Sequence, residues 1–361
     1  MSLLRCLGVY LPSGWIARAL DATGKTTIRQ RRLPAEVVVW IVIALSIFRG
    51  RSISEVVESL DLALPNEHGG FVCKSAIAQA RRRLGYAPIK SLFQLSASEW
   101  TAGQSSDQTW RGMSLWAVDG TSVKAPDSPE NRDTFRAQVY LSGKQSSYPQ
   151  VRVVALTSLP SRILAGAAFG SYTTNEMRLA PEVFARIPDQ SLTLLDKGFF
   201  SASLLLGLKC EGRSRHFLIP ARSNSKWKSS IIDQEDALVT MEVSKPARQQ
   251  SPDLPKEWTA RAIRTIDCEG NVGHLLTSLL DQHLFPAEEL RALYSQRWEV
   301  ETSYNEIKVA MFINSLTLRS QTPDGVNQEL WGAFLGYNLV RLLIADVARS
   351  GGISPVNRQN Y

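Results

Sequence analysis

The pattern of apolar and polar positions divides the chain into three regimes. Up to about residue 110 the apolar residues recur at helical spacing. Pro34-Ala35-Glu36 places a proline in a first helical turn, and Arg49-Gly50 closes the segment. The apolar run Val37 to Phe48, bounded by Glu36 and Arg49, is too short to span a bilayer and predicts a buried helix. Ser52 and Glu55 have capping-box spacing before Val56-Val57. Ser75 is the expected cap of a further helix that carries Arg81-Arg82-Arg83 and stops at Gly85.

From about 111 the period shortens to that of strands. Leu115 to Val118 reads as a buried strand ending at Asp119-Gly120. Val151 to Leu156 and Ile163 to Phe169 flank a turn at Pro160-Ser161 and predict a hairpin. A helical pattern over Glu176 to Ile187 follows, containing Pro181. The strand Leu192 to Leu195 then ends at Asp196-Lys197-Gly198. A helix over Ala202 to Lys209 and a strand at Phe217 to Ile219 complete a mixed sheet flanked by helices, an α/β class.

Residues 222–272 are different again. Polar stretches and Pro246, Pro252 and Pro255 separate alternating segments at Ala237 to Val243 and Ala260 to Ile266. They predict an inserted β-rich subdomain within a core formed by 111–221 and 273–361, behind a helical N-terminal domain of 1–110. Beyond Leu275 to Leu280, helices are expected from Pro286 past Met311 and from Leu330 to Ala348.

Charge narrows the function. The net charge is +7, and residues 1–100 hold 13 Lys and Arg against 7 Asp and Glu, so most of the excess is N-terminal. A basic helical region suits a polyanion such as nucleic acid. The Arg81, Arg82 and Arg83 cluster fits a DNA backbone or, equally, a solvated helix end that favours cations. The four cysteines, Cys6, Cys73, Cys210 and Cys268, form no CxxC pair, which argues against a zinc ribbon and for reduced thiols in the cytoplasm. The four histidines form no HExxH pattern. Gly24-Lys25-Thr26 resembles a phosphate loop only briefly, because position 19 is Ala19 rather than glycine. No signal peptide is expected at Met1 to Cys6.

Asp119 and Asp196 both fall at predicted strand ends, where open α/β sheets build sites, although each alone is equally a turn residue. Carboxylates converging on two metal ions are what phosphodiester cleavage needs. The segment from Tyr294 to Lys308 is more specific. Tyr294, Arg297, Glu301 and Lys308 lie 3, 4 and 7 residues apart, so one helix carries them on one face. Trp298, Ile307 and Met311 serve a different, apolar face.

That spacing resembles the signature of DDE transposases of the insertion-sequence-four family. Asp119-Gly120-Thr121 is similar to the family's first catalytic motif, Pro129-Glu130-Asn131-Arg132 to the short motif after it, and Asp196-Lys197-Gly198-Phe199-Phe200-Ser201 to the second, where arginine is more usual than Lys197. The helical start, Leu33 to Leu64, resembles the family's N-terminal domain. The resemblance implies a ribonuclease-H-like core with a β-rich insertion. It implies two Mg2+ ions, replaceable by Mn2+, on Asp119, Asp196 and Glu301. Tyr294, Arg297 and Lys308 would contact phosphates, and Trp227 or Trp258 would stack on a flipped base. The implied partners are double-stranded DNA (terminal inverted repeats and target) and a second copy in a homodimer, with no membrane, in the bacterial cytoplasm at the nucleoid. Family members usually continue beyond the point where this chain stops, at Tyr361, which leaves a truncated, non-enzymatic DNA-binding protein as the alternative.

Overall fold

The computed structural model describes residues 3–26, 33–60, 73–102, 109–140, 143, 145–223, 225–228, 235–266, 269–296 and 318–351. The N-terminal helices are α1 (Leu3–Gly8), α2 (Ser13–Ala22), α3 (Ala35–Ile47), α4 (Ile53–Ser59), α5 (Lys74–Leu84) and α6 (Ala87–Ala102). The expected buried helix is α3, whose inner residues from Val38 to Ser46 are mostly buried. The capping box at α4 is reciprocal: Ser52 N–H donates to Glu55 Oε2 at 2.7 Å, and Glu55 N–H to Ser52 Oγ at 3.3 Å. The cap of α5 differs from expectation. The helix starts at Lys74 with Cys73 in the extended cap position, so Ser75 already lies in the first turn and its hydroxyl meets Cys73 Sγ at 3.1 Å.

The sheet is built from β1 (Thr109–Trp110), β2 (Met113–Lys124), β3 (Gln150–Ser158), β4 (Leu164–Ser171), β5 (Ser191–Leu195), β6 (Arg215–Pro220), β7 (Asp236–Glu242), β8 (Glu257–Ile266) and β9 (Val272–Thr277). Between them lie α7 (Pro129–Phe135), α8 (Glu176–Phe184), α9 (Ala202–Cys210) and α10 (Lys245–Gln250). The strands follow the order β4-β3-β2-β5-β6-β9-β8-β7, with β1 paired to β2. β2, β3 and β4 are antiparallel neighbours, whereas β2, β5 and β6 run parallel. Three antiparallel strands followed by two parallel to the first make a ribonuclease-H-like core.

Two features depart from the linear pattern. β2 does not stop at Val118. It continues to Lys124 because β3 pairs with it from Trp116 through Lys124, while its parallel partner β5 ends at Leu195. The inserted segment contributes β7 and β8, which join the core sheet through β9, itself paired to β6.

Among the described residues, two further helices cover the sheet, α11 (Ala287–Ser295) and α12 (Pro323–Ser350). α12 is long and apolar enough to cross a membrane by length and composition, but its residues from Val326 to Leu339 are largely buried against the rest of the protein. It packs on α3 and α6, with Trp331 and Phe334 beside Phe93 at ring separations of 5.2 and 6.2 Å. One apolar core therefore joins the N-terminal helices, α12 and one face of the sheet. A second lies on the opposite face under α8 and α9.

Candidate active site

Val118 and Leu195 are the last residues paired between the parallel strands β2 and β5. The next residue on each strand is an aspartate, Asp119 and Asp196. Neighbouring strands lie about 4.8 Å apart, so the two carboxylates leave the sheet side by side. Asp196 is still extended, at φ −75° and ψ 154°, before the chain turns into a short helical turn at Lys197–Phe199. Strand alternation fixes the face. Leu115, Ala117 and Val123 of β2 and Leu192 and Leu194 of β5 belong to the core shared with α12, and Asp119 and Asp196 are in phase with them. Both carboxylates thus point from one face at the edge where β2 loses its parallel neighbour.

Backbone amides orient both groups. Asp119 Oδ1 accepts from Gly120 N–H at 2.8 Å, and Asp196 Oδ2 from Gly198 N–H at 3.2 Å. Both side chains are half-buried, so they keep a route to solvent. Two adjacent, acceptor-only carboxylates fit a hard divalent cation, which takes oxygen ligands and retains waters. Among the described residues no third His, Cys, Asp or Glu completes a metal-binding group with them. Glu301, Arg297 and Lys308 lie outside the described residues.

Helix α11 leads toward this face. Its Leu290 and Leu293 are buried in the same core, and Tyr294 packs against it. Tyr294 Oη donates to the carbonyl of Leu195, the residue before Asp196, at 3.2 Å. Further contacts fix the helix. Glu289 accepts from Trp110 Nε1 at 2.9 Å and from Arg111 Nη2 at 2.6 Å. Arg111 holds the Glu289 carboxyl below the usual carboxylate range, with Trp110 contributing. Arg291 Nε donates to Arg264 O at 2.8 Å. Arg261, fully buried in β8, forms a bidentate pair with Asp236 at 2.7 and 2.6 Å. Its Nη1 donates to Phe285 O at 2.6 Å, immediately before the proline that opens α11.

Glu176 supports the site from behind. It lies at the start of α8 on the opposite face, where a Cβ at Gly120 would overlap its carboxylate. Arg152 of β3 holds Glu176 at 3.2 Å and stacks over Tyr172. Glycine after Asp119 therefore lets the Glu176–Arg152 pair sit flush against the strand. Nearby, Asn131 of α7 is fully buried and donates from Nδ2 to Pro126 O and Ser320 O at 3.2 and 3.1 Å. It ties the loop after β2 to the lead-in of α12.

The remaining sequence candidates are distributed as follows. Arg81 is half-buried and donates to Gln328 Oε1 at 2.9 Å, while Arg82 and Arg83 are exposed on the same helix. Trp258 is buried against Phe217, and Trp227 is half-buried beside His274. The supports at Gly120, Glu176 and Arg261 were not anticipated from the sequence. The signals available were Arg152 and Arg261, charged residues within otherwise apolar strand patterns.

Comparison with known proteins adds independent information. Residues 2–94 match the family model for the insertion element 4 transposase N-terminal region, and residues 110–339 match the transposase DDE domain. The chain is 40% identical over 346 residues to the transposase InsG for insertion sequence element IS4 of Escherichia coli (strain K12), covering 96% of this chain and 77% of that protein. It is 38% identical over 216 residues to the putative transposase InsZ of the same organism, covering 60% of this chain and 71% of that protein. A piggyBac transposase synaptic complex with hairpin DNA aligns over 96% of this chain and 76% of its own, at 12% identity and a TM-score of 0.47.

Proposed function

Because the chain belongs to the insertion element 4 family of DDE transposases, we propose that it cuts DNA at the ends of an insertion element and joins them to target DNA, using two divalent ions. The observation that carries this reading is the in-register pair Asp119 and Asp196, on the face to which Tyr294 brings α11. Glu301, six residues beyond Ser295, follows α11 in the chain and is the third carboxylate of the set. Magnesium is the favoured ion, with manganese a substitute. When bound, the two ions lower the pKa of coordinated water and offset charge on the phosphodiester.

The protein groups hold and orient. Asp119 and Asp196 are fixed by strand register and by the Gly120 and Gly198 amides, so they need little reorganisation during reaction. Tyr294 ties α11 to the strand that carries Asp196. Arg297, through its forked donors, and Lys308, as a point charge, meet the phosphates flanking the scissile bond and position them without reading sequence. In net terms, water opens one phosphodiester at the element end and leaves a 3′-hydroxyl. That hydroxyl then attacks the phosphorus of a target phosphodiester, forming a new P–O bond as the target's own 3′-oxygen leaves as a hydroxyl. The helical region 1–110 contacts the duplex through Arg82 and Arg83, with Arg81 anchoring their helix. The core comprises 111–221 and 273–361, and 222–272 forms the β-rich insertion. A homodimer brings two element ends together, in the bacterial cytoplasm.

The test is nicking of a labelled element-end duplex by the purified chain in magnesium, beside Glu301→Gln and Asp119→Asn. Wild-type nicking that both variants lose supports the reading, and joined products separate it from a plain nuclease. Binding without metal-dependent nicking by the wild type overturns it in favour of a DNA-binding protein that lacks chemistry.

A further inference from the structure

The inserted segment touches α11 where one of its strand ladders runs out. β7 and β8 pair from Glu242 opposite Glu257 to Asp236 opposite Ile263. One residue further, Arg264 N–H still donates to Glu235 O at 2.8 Å. The Arg264 carbonyl accepts from a side chain instead, Arg291 Nε of α11 at 2.8 Å. A strand carbonyl that leaves its ladder still requires a donor, and here a helix supplies it. The same guanidinium lies 3.6 Å from Glu235 and 2.8 Å from Glu288. Both glutamates are largely exposed, so these ion pairs add little, and the half-buried bond to the carbonyl carries the attachment.

Glu289 leaves the helix on the other side. At 3.6 residues per turn, its side chain and that of Arg291 are about 200° apart around α11. Glu289 reaches Trp110 of β1 and Arg111 in the turn before β2, whereas Arg291 reaches β8 of the insertion. Leu290 and Leu293 fill the core beneath. The helix is thus gripped across its axis by two parts of the molecule, and both set its roll. Tyr294, one turn beyond Arg291, depends on that roll for its bond to the Leu195 carbonyl. A roll of about 15° swings an oxygen roughly 6 Å from the helix axis by about 1.6 Å. The bond is already 3.2 Å long and has little length to spare. Leu195 is the last β5 residue paired with β2, and Asp196 follows it.

We propose that Arg291 is a positioning residue for the cleavage reaction: by tying α11 to Arg264 of the insertion, it seats Tyr294 on Leu195 and steadies the strand end that presents Asp196. The proposal rests on the enzymatic reading above. It gives the insertion a part in the chemistry beyond touching DNA, because a displacement of β8 by a bound duplex is passed through Arg291 to the aspartate edge.

The test compares Arg291→Met, which keeps the aliphatic stem, with Tyr294→Phe and the double variant, all in the full chain. Nicking of the labelled end duplex is measured at saturating duplex in magnesium, and duplex affinity separately in calcium. Arg291→Met nicks about tenfold or more slowly with affinity within about twofold of wild type, the split expected of misplaced groups rather than lost binding. Because Arg291 works through Tyr294, the double variant nicks no more slowly than the slower single variant. Losses that multiply, a rate within about twofold of wild type, or an affinity that falls with the rate overturn the proposal. Amide exchange is followed beside these and needs no cleavage. It accelerates in α11 of Arg291→Met while exchange in β3 keeps its wild-type rate. A wild type that fails to nick while α11 responds in this way removes the enzymatic reading and leaves the seating of Tyr294 in place, whereas unchanged exchange in α11 overturns the seating itself.

Discussion

Replacing Arg261 by methionine tests how α11 is held over the site. Arg261 is fully buried, and its guanidinium serves both Asp236 oxygens and the carbonyls of Phe285, Asp281 and Leu279 at 2.6, 3.3 and 3.5 Å. Methionine fills much of the volume but donates nothing. Breaking a buried pair by removing one partner costs about 3–5 kcal/mol. Asp236 is 21% exposed and regains some water, which favours the lower half of that range. The Phe285 carbonyl, left unsatisfied, adds back about 1–3 kcal/mol. We expect a loss of about 4–7 kcal/mol, a fall in midpoint of roughly 15 °C at about 2–4 °C per kcal/mol. Asp236→Asn keeps the shape but leaves the fully buried Arg261 charge without its counterion and turns an amide donor toward its N–H groups, and loses about 3–5 kcal/mol. Urea unfolding gives the energies, and end-duplex nicking reports whether α11 still seats. The reasoning is refuted if either Arg261→Met or Asp236→Asn unfolds within about 1 kcal/mol of wild type.

Other substitutions probe separate links. Gly120→Ala should displace the Glu176 carboxylate, destabilise by about 1–3 kcal/mol as overpacking does, and slow nicking. Adding Glu176→Ala should recover nicking, and failure to do so would exclude the steric cause. Ser52→Ala removes half of the α4 capping box and should lower stability by about 0.5–2 kcal/mol in chemical unfolding, with nicking per folded molecule unchanged. His216 and His274 both have pKa values lowered by burial, with Lys209 and Arg264 respectively adding repulsion. The unfolded chain therefore binds more protons. Stability from these histidines is present above their unfolded pKa of about 6.5 and is lost as pH falls through the lower folded values. A midpoint that declines below pH 6.5 less steeply in His216→Gln than in wild type would show this, and identical slopes would count against it.

Much of the site was legible because the signals were local. Leu115 to Val118 and Leu192 to Leu195 are apolar runs ending in aspartate, and their burial follows from composition. The relation between them was not local. That Asp119 and Asp196 stand in one register depends on β2 pairing in parallel with β5, a contact across 77 residues, taken as the difference in numbering. The extension of β2 through Gly120-Thr121-Ser122 was missed for a similar reason. Those residues read as a turn by propensity, and the partner β3 holds them extended. At the start of α12, Thr322-Pro323-Asp324-Gly325 also looks like a turn. In the fold, Thr322 caps the helix by accepting Gly325 N–H at 3.3 Å, with proline in the first turn. Arg261 sits in an alternating strand and reads as solvent-facing, because nothing local reveals that Asp236 awaits it inside. The continuity of β7 and β8 with the core sheet likewise depends on β9, whose sequence gives no partner.

The packing of α12 into the N-terminal helices bears on the order of events during synthesis. Ser46 of α3 donates to Gly332 O at 2.8 Å, and Gly332 lies so close to Val42 that a Cβ there would crowd it. The inner face of α3 is thus closed by residues translated almost 300 positions later. A ribosome-bound chain that has released only its first hundred residues presents α3 with its apolar face uncovered, a candidate for holdase chaperones rather than a finished DNA-binding module. Interrupted translation would therefore yield fragments destined for proteolysis, not competitors that occupy element ends. Expressing residues 1–110 alone should give aggregated or rapidly degraded material, and co-expression with the remaining chain should rescue it.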